Sequence, residues 1–136
     1  KNEEFNDTVT AIFQDRNEKM WIGFRSGRIA NVVNNKLQYF NPEEGTPQKK
    51  ITAFLQDKEG NLWFAAQGEG VYYLQKNRLY LINTDDGLSD NNVSQLILTG
   101  NDEVLAGTDQ GISICSFKGG KKKLQPLGHG RDFRII

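Results

Sequence analysis

The sequence is poor in most of the residues that announce chemistry. It has one cysteine, Cys115, which excludes an internal disulfide and a cysteine-rich metal centre. It has one histidine, His129, too few for a zinc site that needs several nitrogen or sulfur ligands. Neither sign of charge is in excess: 17 basic residues balance 17 acidic ones, which removes the electrostatic footprint of a nucleic-acid binder. No apolar run approaches the ~18 residues that suggest a membrane helix. No leader peptide is visible from Lys1 onward, as expected if one has been removed. Proline is also scarce, at three residues. Glycine is plentiful instead, with 14 residues, and aromatics make up 10% of the 136 residues, which fits a packed chain with many tight turns rather than disorder. The length allows one domain.

A repeat dominates what remains. Val9-Thr10-Ala11-Ile12-Phe13-Gln14-Asp15 recurs 42 residues later as Ile51-Thr52-Ala53-Phe54-Leu55-Gln56-Asp57, and after the same step as Val93-Ser94-Gln95-Leu96-Ile97-Leu98-Thr99. Each copy is followed by a polar turn and a second run: MWIGF at 20–24, LWFAA at 62–66 and VLAGT at 104–108. Trp21 and Trp63 keep the spacing, and Leu105 takes the third place. A glycine opens a third run at Gly27, Gly70 and Gly111. A fourth follows at Leu37, at Leu79 and, more weakly, near Leu124.

Four short runs rich in Val, Ile, Phe, Tyr and Trp, broken by Gly, Asn, Asp and Lys, predict four β-strands per unit. Nothing keeps a sustained helical period. Four strands in about 42 residues, repeated, are the signature of a β-propeller blade. The expected fold is therefore all-β: about three four-stranded antiparallel blades, with units at 9–50, 51–92 and 93–127, and 128–136 as a tail or the start of a further strand. The VTAIFQD run is expected innermost, with the Trp run, the glycine-opened run and the LQYF run following outward. The nearly continuous apolar runs AIF and ITAFL suit strands covered on both faces. Propellers close with 4–8 blades, so three blades predict a fragment of a larger ring with uncovered apolar ends. Those ends would be covered by other blades of the same chain, in a seven-bladed whole, or by a second copy, which by count would give six blades.

The pattern V-x-x-I-x-x-D, turn, G-N-L-W-F, then G-V-Y-Y, together with the linker Thr84-Asp85-Asp86-Gly87-Leu88-Ser89-Asp90-Asn91-Asn92-Val93, resembles the two-component regulator propeller repeat. The second unit carries every element. The first departs at Asn17-Glu18-Lys19, without the turn glycine, and the third has Thr99 for the Asp and Leu105 for the Trp. The resemblance implies the periplasmic, extracytoplasmic sensor region of a hybrid two-component histidine kinase. It implies phosphorelay activity only in separate domains of the parent, and membrane attachment only through parts absent here.

Candidate sites are few, and each has a plainer alternative. Asp15-Arg16-Asn17-Glu18 and Asp57-Lys58-Glu59-Gly60-Asn61 faintly suggest a calcium loop, but the closing Glu is missing and hairpin turns are the expected reading. Lys118-Gly119-Gly120-Lys121-Lys122-Lys123 could contact phosphate or anionic lipid; a solvated hairpin tip is expected. Trp21 and Trp63 are expected to pack between blades rather than stack on sugars, and Cys115 to be a small core residue. His129 lies in no helical pattern of the kind that carries a phosphoacceptor. No metal and no cofactor are expected.

Equivalent loops of a propeller gather at one mouth, and recognition favours loops. The loops after the Trp runs place Arg25, Gln67 and Asp109 at matched positions, and the linkers into the inner runs place Thr8, Lys50 and Asn92 likewise. These six are the candidate ligand-binding residues, with ordinary solvated loops as the alternative. Their amide, carboxylate and guanidinium groups suit an oligosaccharide. The expected function is a non-catalytic module that senses a carbohydrate ligand or transduces its signal. The alternatives are a streptogramin-lyase-like enzyme with a mouth histidine, or a purely structural or dimerisation propeller.

Overall fold

Consecutive strands pair into three separate antiparallel sheets in the computed structural model, which describes residues 7–40 and 45–127. The first sheet is β1 (Val9–Gln14), β2 (Met20–Phe24), β3 (Ile29–Val33) and β4 (Lys36–Tyr39). The second is β5 (Ile51–Gln56), β6 (Leu62–Ala66), β7 (Gly70–Gln75) and β8 (Arg78–Ile82). The third is β9 (Val93–Leu98), β10 (Val104–Thr108), β11 (Gly111–Lys118) and β12 (Lys121–Pro126). Each sheet keeps its strands in chain order, so each is one blade of the expected kind. The described residues contain no α-helix, only a 3-10 turn at Thr84–Asp86, and no helix long and apolar enough to cross a membrane. His129 and the 128–136 segment lie outside the described residues.

The blades stack face to face, with β1, β5 and β9 adjacent. Between the first two lie Trp21, Ile29, Ile51, Leu62, Phe64, Tyr72 and Leu74. Between the second and third lie Trp63, Val71, Tyr73, Ile82, Val93, Val104, Cys115 and Phe117. A fully buried large apolar side chain contributes roughly 1.5–3 kcal/mol, so these two interfaces hold the fold. The approach is close: a Cβ on Gly23 would sit 2.5 Å from Cγ2 of Ile51. Both tryptophans are buried in the interfaces, and burial pushes the Cys115 thiol up to about 12, as befits a core residue.

The middle blade is covered on both sides, and β6 is buried throughout. The expectation of two covered faces fails for the AIF run of β1, where Ile12 is 65% exposed; Ile97 on β9 is similarly 54% exposed. Both strands belong to terminal blades, whose outer faces have no neighbour among the described residues.

The hairpins repeat as faithfully as the strands. Oδ1 of Asp15 accepts from the backbone N–H groups of Asn17 and Lys19, Oδ1 of Asp57 from those of Glu59 and Asn61, and Oγ1 of Thr99 from those of Asn101 and Glu103. The turn glycine missing from the first unit is replaced by Glu18, which adopts φ 66° where Gly60 has φ 93° and Asp102 has φ 62°. These carboxylates are committed to hairpin donors, which supports the turn reading over a calcium loop. The lysine-rich segment is an exposed hairpin tip at Gly119–Gly120, as expected, with two of its lysines engaged. Lys118 pairs with Asp102 at 2.8 Å, and Lys122 reaches Asp86 at 3.1 Å and the carbonyl of Leu81 at 2.7 Å.

Candidate functional site

The six candidate residues meet in three pairs. The backbone N–H of Arg25 donates to the carbonyl of Thr8 at 2.8 Å, that of Gln67 to Lys50 at 2.8 Å, and that of Asp109 to Asn92 at 3.2 Å. Each pair latches the entry of an inner strand to the end of its neighbour, so the three pairs repeat along one rim of the stack. On this common backbone the side chains diverge. Arg25 and Gln67 are exposed and make no side-chain hydrogen bond among the described residues. Asp109 accepts from Nδ2 of Asn92 at 2.6 Å, so the third pair is internally engaged. The rim thus offers a guanidinium, an amide and an amide–carboxylate pair in succession.

Neighbouring groups brace the rim. Asp7 accepts from Oγ of Ser26 at 2.6 Å and pairs with Arg28 at 3.4 Å. Burial pulls the Asp7 carboxyl up, but the Ser26 hydrogen bonds and the Arg28 charge outweigh it and leave it below the ordinary carboxylate value. In the second blade Glu69 accepts from the Gln48 N–H and from the Tyr72 hydroxyl at 2.8 Å, and burial together with Glu69 pushes the phenol pKa well above 10. The third blade is braced by the linker 83–92. Asn83 caps the 3-10 turn, Gly87 turns at φ 110°, Leu88 is buried, and the Ser89 N–H donates to Oγ of Ser113 at 2.8 Å. This accounts for the linker's residue pattern: Asp86 and Gly87 shape the turn, while Leu88 and Ser89 anchor it.

Inside the rim, the inner strands line a trench of about 440 Å³ that contains Thr10, Thr52, Ser94, Phe13, Phe54 and Gln95. None of these residues was a candidate from sequence, and Thr10, Thr52 and Ser94 share one feature. Val9 pairs with Phe24 and Ala11 with Gly23, leaving Thr10 as an extra residue. The same bulge leaves Thr52 between Ile51 and Ala53, and Ser94 between Val93 and Gln95. A bulge re-aims a side chain, and here it re-aims a hydroxyl in every blade. Oγ1 of Thr10 donates to Gly23, while Oγ1 of Thr52 lies 3.4 Å from the carbonyl of Ala65 and donates at 2.8 Å to Val93 of the next blade. The signal was a hydroxyl residue at the second position of every inner run.

The described residues contain no cluster of three or more His, Cys, Asp or Glu side chains able to hold a metal. Trp21 and Trp63 each donate their indole N–H to an aspartate, at 3.1 Å to Asp15 and 3.0 Å to Asp57, which ties them to the hairpins rather than to a ligand.

Solved structures share this fold. The extracellular domain described as that of a hybrid two component system of B. thetaiotaomicron superposes with a TM-score of 0.69 at 20% identity, over 89% of this chain and 17% of that one. Virginiamycin B lyase of Staphylococcus aureus gives 0.66 at 11% identity over 88% of this chain and 41% of that one. PorZ, a surface component of the type-IX secretion system of Porphyromonas gingivalis, gives 0.63 at 18% identity over 88% of this chain and 24% of that one. The chain thus spans less than half of each of these proteins. No curated protein sequence matches it. The family described as Two component regulator propeller matches at residues 3–26 and 45–68, each time the linker, inner strand, hairpin and tryptophan strand of one unit. Those two stretches are similar to two-component regulator propeller repeats, and the fold is shared with the solved propeller structures.

Proposed function

We propose that the chain is part of the periplasmic sensor region of a two-component system, a non-catalytic propeller segment that contributes side chains to an oligosaccharide-binding rim. The observation that carries this reading is the rim itself. One backbone latch recurs three times, and the residues mounted on it, Arg25, Gln67 and Asp109, differ in charge and shape. Such a scaffold tailors recognition without altering the fold. The family match and the extracellular bacterial structures of the same fold support a sensor rather than an enzyme. The lyase shares the fold alone, and the described rim offers no histidine to serve as a general base. Ligand would act by favouring one arrangement of the sensor domains over another and so biasing a kinase across the membrane.

Calorimetry of the complete extracytoplasmic region against an oligosaccharide panel tests this. A saturable heat, lost when Arg25, Gln67 and Asp109 are replaced together by alanine, is expected. Binding and signalling left unchanged by that triple substitution would instead support a spacer or dimerisation role, which the exposed terminal faces at Ile12 and Ile97 also suit.

A further inference from the structure

The two inter-blade clefts are built on the same plan but filled differently. In the second cleft, Tyr73 packs on Phe117 with ring centres 4.6 Å apart, and Tyr80 packs on Phe117 at 4.8 Å. The strand pairings identify the equivalent positions one blade earlier. Trp21 faces Asn31 across β2 and β3 as Trp63 faces Tyr73 across β6 and β7 and Leu105 faces Ile114 across β10 and β11. Asn31 faces Gln38 as Tyr73 faces Tyr80. Three residues beyond Ile114 lies Phe117, and three beyond Tyr73 lies Lys76. Two ring positions of the second cleft, Tyr73 and Tyr80, are therefore amides in the first blade, Asn31 and Gln38; where β11 runs on through Phe117, the shorter β7 ends at Gln75 and Lys76 lies in the turn at φ 60°.

The consequence is a cleft of about 590 Å³ between the first two blades, on the hairpin side away from the rim. That is within the ~300–1,000 Å³ typical of small-molecule sites. Its lining includes Asn17, Lys19, Asn31, Asn61, Lys76 and Asn77. Asn31 is only 8% exposed, and its Oδ1 has no hydrogen-bond partner. An unpaired buried acceptor is costly, and the terminal amide torsion is soft enough to turn it toward the cleft. The charges in the lining are unequal. Asp15 is already engaged by two backbone N–H groups and the Trp21 indole. Lys19 lies over the Trp21 ring at 5.1 Å, and Lys76 makes no ion pair among the described residues. What is left uncommitted is cationic, ringed by amides, and holds one acceptor in need of a donor.

We propose that this cleft binds a small hydroxylated carboxylate about the size of a single sugar acid, with its carboxylate toward Lys76 and Lys19 and a hydroxyl donating to Asn31. The site is separate from the rim, and its test stands whether or not the rim binds a ligand.

Gluconate is the probe, titrated into the full chain and followed by NMR at the two indole N–H signals, with circular dichroism to check each variant's fold. Saturable shifts at Trp21 but not at Trp63 are expected. Sorbitol, which keeps the hydroxyls without the carboxylate, should bind at least about tenfold more weakly, the loss expected for a charge-assisted contact. Lys76→Gln should weaken gluconate by a similar factor, and Asn31→Tyr, which supplies the ring of the second cleft, should abolish binding. The proposal is overturned by shifts that fail to saturate, by equal responses to sorbitol, or by gluconate binding unaltered in a folded Asn31→Tyr or Lys76→Gln protein.

Discussion

Oδ2 of Asp57 accepts the indole N–H of Trp63 at 3.0 Å while Oδ1 of the same carboxylate accepts two backbone N–H groups of the hairpin. One side chain thus shapes the turn between the two inner strands and fixes the ring that fills the next inter-blade interface. Asp15 and Trp21 repeat the arrangement in the first blade. In the third blade Thr99 keeps the turn bonds, while the Leu105 side chain has no donor to offer.

Replacing Asp57 by alanine strands a buried indole and two backbone donors together. Unsatisfied buried polar groups cost about 1–3 kcal/mol each, so a loss of roughly 3 kcal/mol is expected in urea unfolding. Thr99→Ala, which touches no indole, should cost only about 1 kcal/mol. Equal losses would show that the Asp–Trp bond contributes nothing to stability.

Acid should loosen the first blade. At Asp15, burial pulls the carboxyl up, but hydrogen bonds from Lys19, Trp21 and Asn17 hold it below 3.8, and Asp7 is lowered likewise. Because the folded pKa lies below the unfolded one, the stabilisation is complete above about pH 4 and is lost as pH falls through the lowered values. Asp15→Asn should flatten this acid limb in a fluorescence-monitored titration. An acid limb identical to that of the parent would exclude Asp15 as its source.

Alkali should act on Tyr73, whose pKa is pushed up to about 12 by burial first and by the Asp57 charge second. A raised folded pKa means that the stabilisation is present below pH 10 and is lost as pH rises toward 12. Phenolate absorbance should therefore appear together with unfolding, and Tyr73→Phe should delay that unfolding. If Tyr73→Phe unfolds at the same alkaline pH, another group is responsible.

The left-handed turn residue of the first hairpin invites repair. Glu18 sits at φ 66° where the second blade has Gly60. The left-handed region costs a non-glycine residue roughly 1–2 kcal/mol, partly offset by the greater freedom of glycine in the unfolded chain. Glu18→Gly is expected to raise stability by about 0.5–1 kcal/mol. A lower melting temperature would contradict this account of the turn.

The terminal faces should make the isolated chain associate. Among the described residues Ile12 and Ile97 are the most exposed large apolar ones, one on each end blade. Light scattering should show mass rising with concentration, and Ile12→Lys with Ile97→Glu should reduce it. A parent chain that stays monomeric at high concentration would mean that these faces need no cover.

The blades were legible in sequence because every unit repeats the same local chemistry: β-branched and aromatic runs, a hydroxyl or carboxylate before each hairpin, and glycine where the chain turns left-handed. Even the departures were visible as letters, such as Glu18 for glycine and Thr99 for Asp. Their consequences were not, because a hairpin accepts any oxygen at its first position and tolerates a strained residue at its fourth.

The sequence by itself determined the repeat, the strand order and the matched spacing of Arg25, Gln67 and Asp109 and of Thr8, Lys50 and Asn92, since each of these depends on neighbours within one unit; the backbone bonds that pair the two sets came from the structure. Only the tertiary structure decided which faces are covered, which way the bulged hydroxyls of Thr10, Thr52 and Ser94 point, and that one cleft is packed with rings while the other stays open. These outcomes arise where two blades meet, and side chains from different units combine there in ways that the spacing within a single unit does not specify.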